Sequence, residues 1–197
     1  MNRAHDIVQL DKEVLDMFDI PKWFSEKEQL FATVRRGKPS NPSYLPVGLR
    51  GEKRQERFAF EAPCNMIKRK IHPWELTSRE SFRFNEVANY PVYRSYQKAR
   101  LLLKYYSWGI GGSLGFELAA KQAAIKPTSD LDLLLYADTK EKLPLELLEK
   151  QAAFFQQIDV QVITKQGGFA LKEYLEHPSK KILVKTDEGP KLTTEIW

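Results

Sequence analysis

The chain has 197 residues, of which 42% are hydrophobic and 29% charged, the balance of an ordinary soluble globular protein with room for one large domain or two small ones. No apolar run approaches the length of a membrane span, Met1–Asp6 has no signal-peptide core, and the single cysteine, Cys64, excludes an internal disulfide; a cytoplasmic protein with no membrane partner is expected. The net charge of +5 suits a polyanionic partner such as a nucleotide, a multiply phosphorylated cofactor, an acidic protein or nucleic acid, and selects none of them.

Residues 1–80 read as short extended pieces broken by turns. His5–Leu10 and Leu30–Arg35 have strand-like content, Pro39, Pro42 and Pro46 punctuate a loop, and Phe58-Ala59-Phe60 is the next strand after the charged stretch Arg50–Arg57. From residue 81 the texture becomes α/β. Apolar residues at helical spacing (Val92, Tyr96, Ala99, Leu102, Leu103) predict a helix over Val92–Tyr105, followed by a Gly-rich turn, Gly109–Gly115, and a helix over Phe116–Ala124. Leu131–Tyr136 is a near-continuous apolar run, as in a strand covered on both faces. Pro144–Gln157 reads as a helix with its proline in the first turn, Asp159–Thr164 as a strand, Gly167–Glu176 as a helix and Ile182–Lys185 as a last strand. The polar join near Thr77–Phe82 separates a smaller N-terminal domain (1–80), expected to bind substrate or partner, from a catalytic domain (81–197).

The chemistry concentrates in Ser129-Asp130-Leu131-Asp132-Leu133-Leu134-Leu135. On a strand, Asp130 and Asp132 point to one face and Leu131 and Leu133 to the other. Two neighbouring carboxylates repel, and a divalent cation removes that penalty; Mg²⁺ prefers oxygen and shares its coordination between a few carboxylates and substrate phosphates. An isolated Asp-x-Asp is more often a strand cap beside a solvated aspartate. Here it stands in an ordered set: Gly111-Gly112-Ser113-Leu114-Gly115 upstream, able to bring backbone N–H groups to a phosphate, and Asp159 on the next predicted strand, able to complete a three-carboxylate site.

This order resembles the nucleotidyltransferase superfamily. The resemblance implies an α/β (α+β) fold, with a C-terminal mixed sheet and flanking helices, in which the Gly-Ser turn (Gly112, Ser113) binds β and γ phosphates, the paired carboxylates bind metal, and a third carboxylate helps to activate the attacking hydroxyl. The separation from Ser113 to Asp130 exceeds the superfamily's general pattern and points to a specialised branch. Further segments are similar to the malonate decarboxylase holo-acyl-carrier-protein synthase (phosphoribosyl-dephospho-CoA transferase) family: His5-Asp6, Val34-Arg35-Arg36, Pro46-Val47-Gly48-Leu49-Arg50-Gly51 with Arg54, Arg57 and Phe58, Trp108-Gly109, Gly112-Ser113-Leu114-Gly115-Phe116-Glu117-Leu118, Ser129–Leu135, Asp159-Val160-Gln161, Gly167-Gly168 and Gly189-Pro190-Lys191-Leu192. The likeness spans nearly the whole chain.

What it implies is a Mg²⁺-dependent transfer. The phosphoribosyl-dephospho-CoA group passes from triphosphoribosyl-dephospho-CoA to a serine of the apo acyl carrier subunit of malonate decarboxylase, with release of diphosphate and no nucleic-acid partner. Asp130 and Asp132 are then metal ligands, Asp159 a third ligand or the base that takes the serine proton, and Ser113 with nearby backbone holds the outgoing diphosphate. Arg35, Arg50, Arg54 and Arg57 are expected to meet substrate phosphates, Arg50 foremost because it lies between Gly48 and Gly51; Lys185 is a further basic contact. A cleft between the domains is the expected substrate site. Two other readings stand beside this one: a nucleotidyltransferase acting on another hydroxyl, and a basic RNA-binding or interaction module whose aspartates are structural. His5, His72 and His177 have no metal spacing, Cys64 is expected to be a buried or neutral thiol, and Trp23, Trp74, Trp108 and Trp197 are expected to fill cores, Trp108 beneath the Gly-rich turn.

Overall fold

The computed structural model describes residues 3–25, 28–53, 55–176 and 180–197. The chain divides into two compact units, one ending at His72 and the other beginning at Pro73. The sequence placed the join a few residues later. Pro73 and Trp74 belong with the second unit because they lie against Gly109, where an added Cβ would sit 2.8 Å from the Pro73 carbonyl carbon and 3.0 Å from the Trp74 nitrogen.

The first unit is an antiparallel sheet of β1 (Ile7–Leu10), β2 (Leu30–Val34), β3 (Tyr44–Arg50), β4 (Arg57–Pro63) and β5 (Ile67–Ile71), in the order β4-β3-β2-β1-β5. Alternation along these strands turns Val8, Leu10, Ala32, Val47, Leu49 and Phe60 to one face, where they are buried beneath Val14 and Phe18. Pro46, read from the sequence as part of a loop, lies within β3; its carbonyl accepts from the Arg35 N–H (2.9 Å). Buried Asp6 accepts from His72 Nδ1 (2.8 Å) and from the Arg3 N–H (3.0 Å), tying the start of the unit to its end. Cys64 is partly buried against the same core.

The second unit opens with α1 (Phe84–Val87) and α2 (Pro91–Leu102), then alternates β6 (Trp108–Ile110), α3 (Gly112–Ala120), β7 (Asp132–Tyr136), α4 (Leu145–Lys150), α5 (Ala152–Phe155), β8 (Asp159–Ile163), β9 (Gly168–Ala170), α6 (Leu171–Glu176), β10 (Ile182–Thr186) and β11 (Gly189–Thr193). The sheet order is β11-β10-β9-β8-β7-β6, with β7 and β8 parallel and the other neighbours antiparallel, so the α/β expectation of a mixed sheet holds. Parallel pairing of β7 with β8 requires a crossover, which α4 and α5 supply. Trp108, Ile110, Leu133, Leu135, Val160 and Val162 are buried along one face of this sheet.

Several elements differ from the sequence reading. The helix expected over Phe116–Ala124 starts at Gly112 and stops at Ala120, where Lys121 takes a left-handed conformation (φ 53°) and turns the chain. The helix expected over Pro144–Gln157 breaks at Gln151 (φ −113°) into α4 and α5. Gly167–Glu176 is not one helix: Phe169 pairs with Val162 as strand β9 before α6 begins. Strands β5, β6 and β11 are too short, or too charged, to show a period. No helix among the described residues is long and apolar enough to cross a membrane.

Candidate active site

Strand β6 runs directly into the Gly111-Gly112 turn and α3. The Gly111 N–H donates to the Asp132 carbonyl (2.9 Å), which fastens the turn to the first residue of β7. Gly112 has φ +59°, a conformation that glycine adopts without penalty. A Cβ at Gly112 would lie 1.7 Å from Asp132 Oδ2, so the carboxylate occupies the space that any other residue's side chain would need. The amides of Gly112, Ser113 and Leu114 precede the first intrahelical bond, from the Gly115 N–H to the Gly111 carbonyl (2.8 Å). Such amides at the start of a nine-residue helix attract an anion. Gly115 allows the close approach of α3 to β6, since a Cβ there would sit 2.5 Å from the Ile110 carbonyl oxygen.

Asp132 pairs in parallel register with Asp159, the first residue of β8. In-register partners share a face, so both carboxylates stand on the side of the sheet opposite buried Leu133 and Val160. Asp130 lies before β7 rather than on it, and is exposed; the expected strand alternation of Asp130 with Asp132 therefore begins one step late. Among the described residues no group of three or more His, Cys, Asp or Glu side chains converges as a metal-holding cluster. What the fold brings together is a pair, Asp132 and Asp159, with Asp130 beside it in the chain and the Gly112-Ser113 turn against Asp132.

The other expected contacts fall elsewhere. Lys185 is on β10, separated from β8 by β9, which puts it two strand spacings away, about 10 Å, and it pairs with Gly168 level with the far end of β8 from Asp159. Lys185 thus does not join the carboxylates; strand order in a sheet is not legible from a lysine's position in the chain. Arg35, Arg50 and Arg57 belong to the first unit and are exposed. Arg35 lays its methylenes over Gly48, where a Cβ would stand 3.1 Å from Arg35 Cδ. Arg50 and Arg57 face each other in register across β3 and β4. Arg54 lies outside the described residues, as does His177.

Sequence reasoning missed Glu117. It is fully buried in α3, and its Oε2 accepts from Arg83 Nη2 (2.7 Å), the Ala124 N–H (2.9 Å) and the Ile125 N–H (3.0 Å), while Oε1 accepts from Ser81 Oγ (2.6 Å). Burial pushes its carboxyl up, but the Arg83 guanidinium, the two amides and the Ser81 hydroxyl together outweigh it and hold the group below its ordinary 4.5. The same contact keeps Arg83 charged, its guanidinium held above the usual arginine value by Glu117 against the cost of burial. The signal was present as a single charged residue, Glu117, among the apolar residues Leu114–Ala120 of the helix Gly112–Ala120.

A glycine turn at a helix start, set against a carboxylate on one strand that is in register with a second, puts amides suited to an anion next to oxygens suited to a cation. The chain belongs to the phosphoribosyl-dephospho-CoA transferase family. Residues 84–195 match the model described as Phosphoribosyl-dephospho-CoA transferase MdcG C-terminal domain, and residues 3–73 match its N-terminal domain. The chain is 32% identical over 186 residues to the phosphoribosyl-dephospho-CoA transferase of Pseudomonas syringae pv. tomato, covering 91% of this chain and 85% of that one. It is 35% identical over 170 residues to the enzyme of that name from Pseudomonas aeruginosa (83% and 78% covered), and 32% over 206 residues to that of Klebsiella pneumoniae subsp. pneumoniae (99% and 96%). No solved structure matches it.

The Gly112 geometry carries a direct test. Gly112→Ala adds left-handed strain of about 1–2 kcal/mol and forces Asp132 Oδ2 to move. Transfer is expected to fall about 10²-fold, as for a misplacement of roughly an ångström, with only a modest drop in melting temperature. Steady-state kinetics beside a thermal melt check this; undiminished turnover would show that Asp132 need not sit where the glycine lets it.

Proposed function

We propose that the chain attaches the phosphoribosyl-dephospho-CoA prosthetic group to malonate decarboxylase. The serine hydroxyl of the apo acyl carrier subunit attacks the α-phosphorus of triphosphoribosyl-dephospho-CoA. The bond from that phosphorus to the β-phosphate bridging oxygen breaks, diphosphate leaves, and a phosphodiester to the serine remains. The observation that carries the reading is the contact of the Gly112 turn with the Asp132 carboxylate, in a chain of this family.

Each residue has a role that follows from its chemistry. Asp132 and Asp159, adjacent on β7 and β8, offer carboxylate oxygens on one face, and Asp130 stands two residues before Asp132. That donor set fits Mg²⁺, which commonly takes one or two carboxylates and completes its shell with substrate phosphates and water. The free amides at the Gly112 turn, which lies against the Asp132 carboxylate, are suited to an anion such as those phosphates. When bound, Mg²⁺ would offset the charge of the triphosphate and of the departing diphosphate. The Gly112, Ser113 and Leu114 amides and the Ser113 hydroxyl orient the diphosphate. Asp159 is a second ligand or takes the serine proton. Arg35, Arg50 and Arg57 are exposed guanidinium groups of the first unit, of the kind that binds phosphate.

The test is mass spectrometry of apo acyl carrier subunit before and after incubation with the chain, Mg²⁺ and the triphosphoribosyl substrate. A mass gain equal to the phosphoribosyl-dephospho-CoA moiety is expected, lost with a chelator and restored by Mg²⁺. A nucleotidyltransferase acting on another acceptor would leave that subunit unmodified. For the arginines, Arg50→Ala is expected to raise the KM of the triphosphate substrate about tenfold, the worth of one charge-assisted hydrogen bond, with kcat changed less. An unaltered KM would remove Arg50 from the substrate site.

A further inference from the structure

We propose that Glu117 is a positioning residue for the transfer: it holds the segment between α3 and β7, and through that segment the Asp130–Asp132 carboxylates, in place against the Gly112 turn. The inference rests on the transferase reading of that turn.

The chain from Gly111 to Asp132 is a closed excursion. It is pinned at its base where the Gly111 N–H meets the Asp132 carbonyl (2.9 Å), runs out along α3, turns at Lys121, and returns through residues 122–131 with no helix or strand of its own. A returning segment without a ladder needs other attachments to hold one conformation. Glu117 supplies them from inside the excursion. Its Oε2 accepts from the Ala124 and Ile125 amides, and Arg83 Nη2, bonded to that same oxygen, also donates to the Ile125 carbonyl (3.1 Å). The Ile125 residue is therefore gripped at both its N–H and its C=O, five positions before Asp130. The carboxylate's other oxygen is held by Ser81 Oγ (2.6 Å), and Arg83 is itself steadied by Glu86 (2.6 Å). Ile125 is buried at the grip.

Glu117 stands five residues after Gly112 on the same helix, so the polyphosphate turn and the chain that carries the acids are joined through one side chain. A carboxylate is the suitable group because it accepts four hydrogen bonds without donating any, and the donors around it are two amides, a guanidinium and a hydroxyl. Glutamine keeps the size of the side chain but presents an NH₂ group toward one set of these donors.

Two measurements on the full chain test this. Hydrogen–deuterium exchange of Glu117→Gln is expected to rise at least about tenfold over residues 121–132 while the β10–β11 hairpin is unchanged. Transfer kinetics are expected to show kcat lowered about 10²-fold, the cost of a small misplacement of reacting groups, with KM for the triphosphate substrate within about threefold of wild type. Faster exchange with unaltered kcat would make Glu117 a stabilising residue only and overturn the proposal, as would exchange indistinguishable from wild type. If Glu117→Gln does not fold, Arg83→Lys carries the same test, since it keeps the charge opposite Glu117 and removes the fork that reaches Ile125; a kcat loss of about tenfold is then expected, and none would overturn the proposal. Absence of transfer by wild-type protein would instead sink the transferase reading, with the exchange result still deciding whether the clamp holds the segment.

Discussion

Asp132→Asn is expected to lower transfer by about 10³-fold or more, a barrier increase of about 4 kcal/mol, while the protein folds normally. The substitution keeps the shape that fills the space above Gly112, so the turn and the first pair of β7 with β8 persist. What it removes is a negative charge, and with it both the affinity for a divalent cation and the repulsion toward Asp159 on the neighbouring strand. Stability should therefore change by no more than about 1 kcal/mol. Diphosphate release measured beside a urea unfolding curve separates the two effects. Transfer at the wild-type rate by a folded Asp132→Asn protein would exclude Asp132 from the reaction.

Glu117→Ala is expected to act in the opposite way, through the fold first. Truncation leaves the partly buried Arg83 guanidinium, the Ser81 hydroxyl and the Ala124 and Ile125 amides without their acceptor, and each buried donor left unsatisfied costs about 1–3 kcal/mol. A loss of that size is visible as a large fall in urea midpoint; a midpoint within error of wild type would show that the segment reorganises without cost. The same carboxylate sets an acid limit. Its folded-state pKa is depressed, so its contribution to stability is fully present above its ordinary 4.5 and is lost as pH falls through the lower folded value. Wild-type melting temperature is expected to drop more steeply below pH 4.5 than that of Glu117→Gln, which has no proton to take up there. Parallel slopes would remove Glu117 from the acid transition.

The carboxylates and the glycine turn were legible because their chemistry is carried by residue type and order: Gly-Gly-Ser before a helix, Asp-x-Asp opening an apolar strand, and an aspartate at the head of the next strand. The resemblance of these segments to the phosphoribosyl-dephospho-CoA transferases extended that reading to a substrate and an acceptor. Less legible were the edges of elements. Leu171–Glu176 has helical composition but Gly167 and Gly168 do not, and backbone pairing of Phe169 with Val162 makes the first residues of Gly167–Glu176 a strand. The Phe116–Ala124 helix was placed four residues late because Gly112 and Gly115 lower helix propensity, a local preference that docking of α3 on β6 overrides.

From the sequence by itself came the two-part organisation, the mixed α/β character of the second part, the family, and the identity of the acids and glycines around which chemistry is proposed. These depend on periodicity and on short motifs, which are local properties of the chain. Only the tertiary structure decided which of those residues meet. It set Asp132 beside Asp159 and left Asp130 off the strand, and it carried Lys185 away on β10. It also surrounded Glu117 with donors from Ser81, Arg83, Ala124 and Ile125. The reason is physical: strand order, register and the partners of a buried charge are fixed by contacts between segments far apart in the chain, and no local pattern encodes which of them will close.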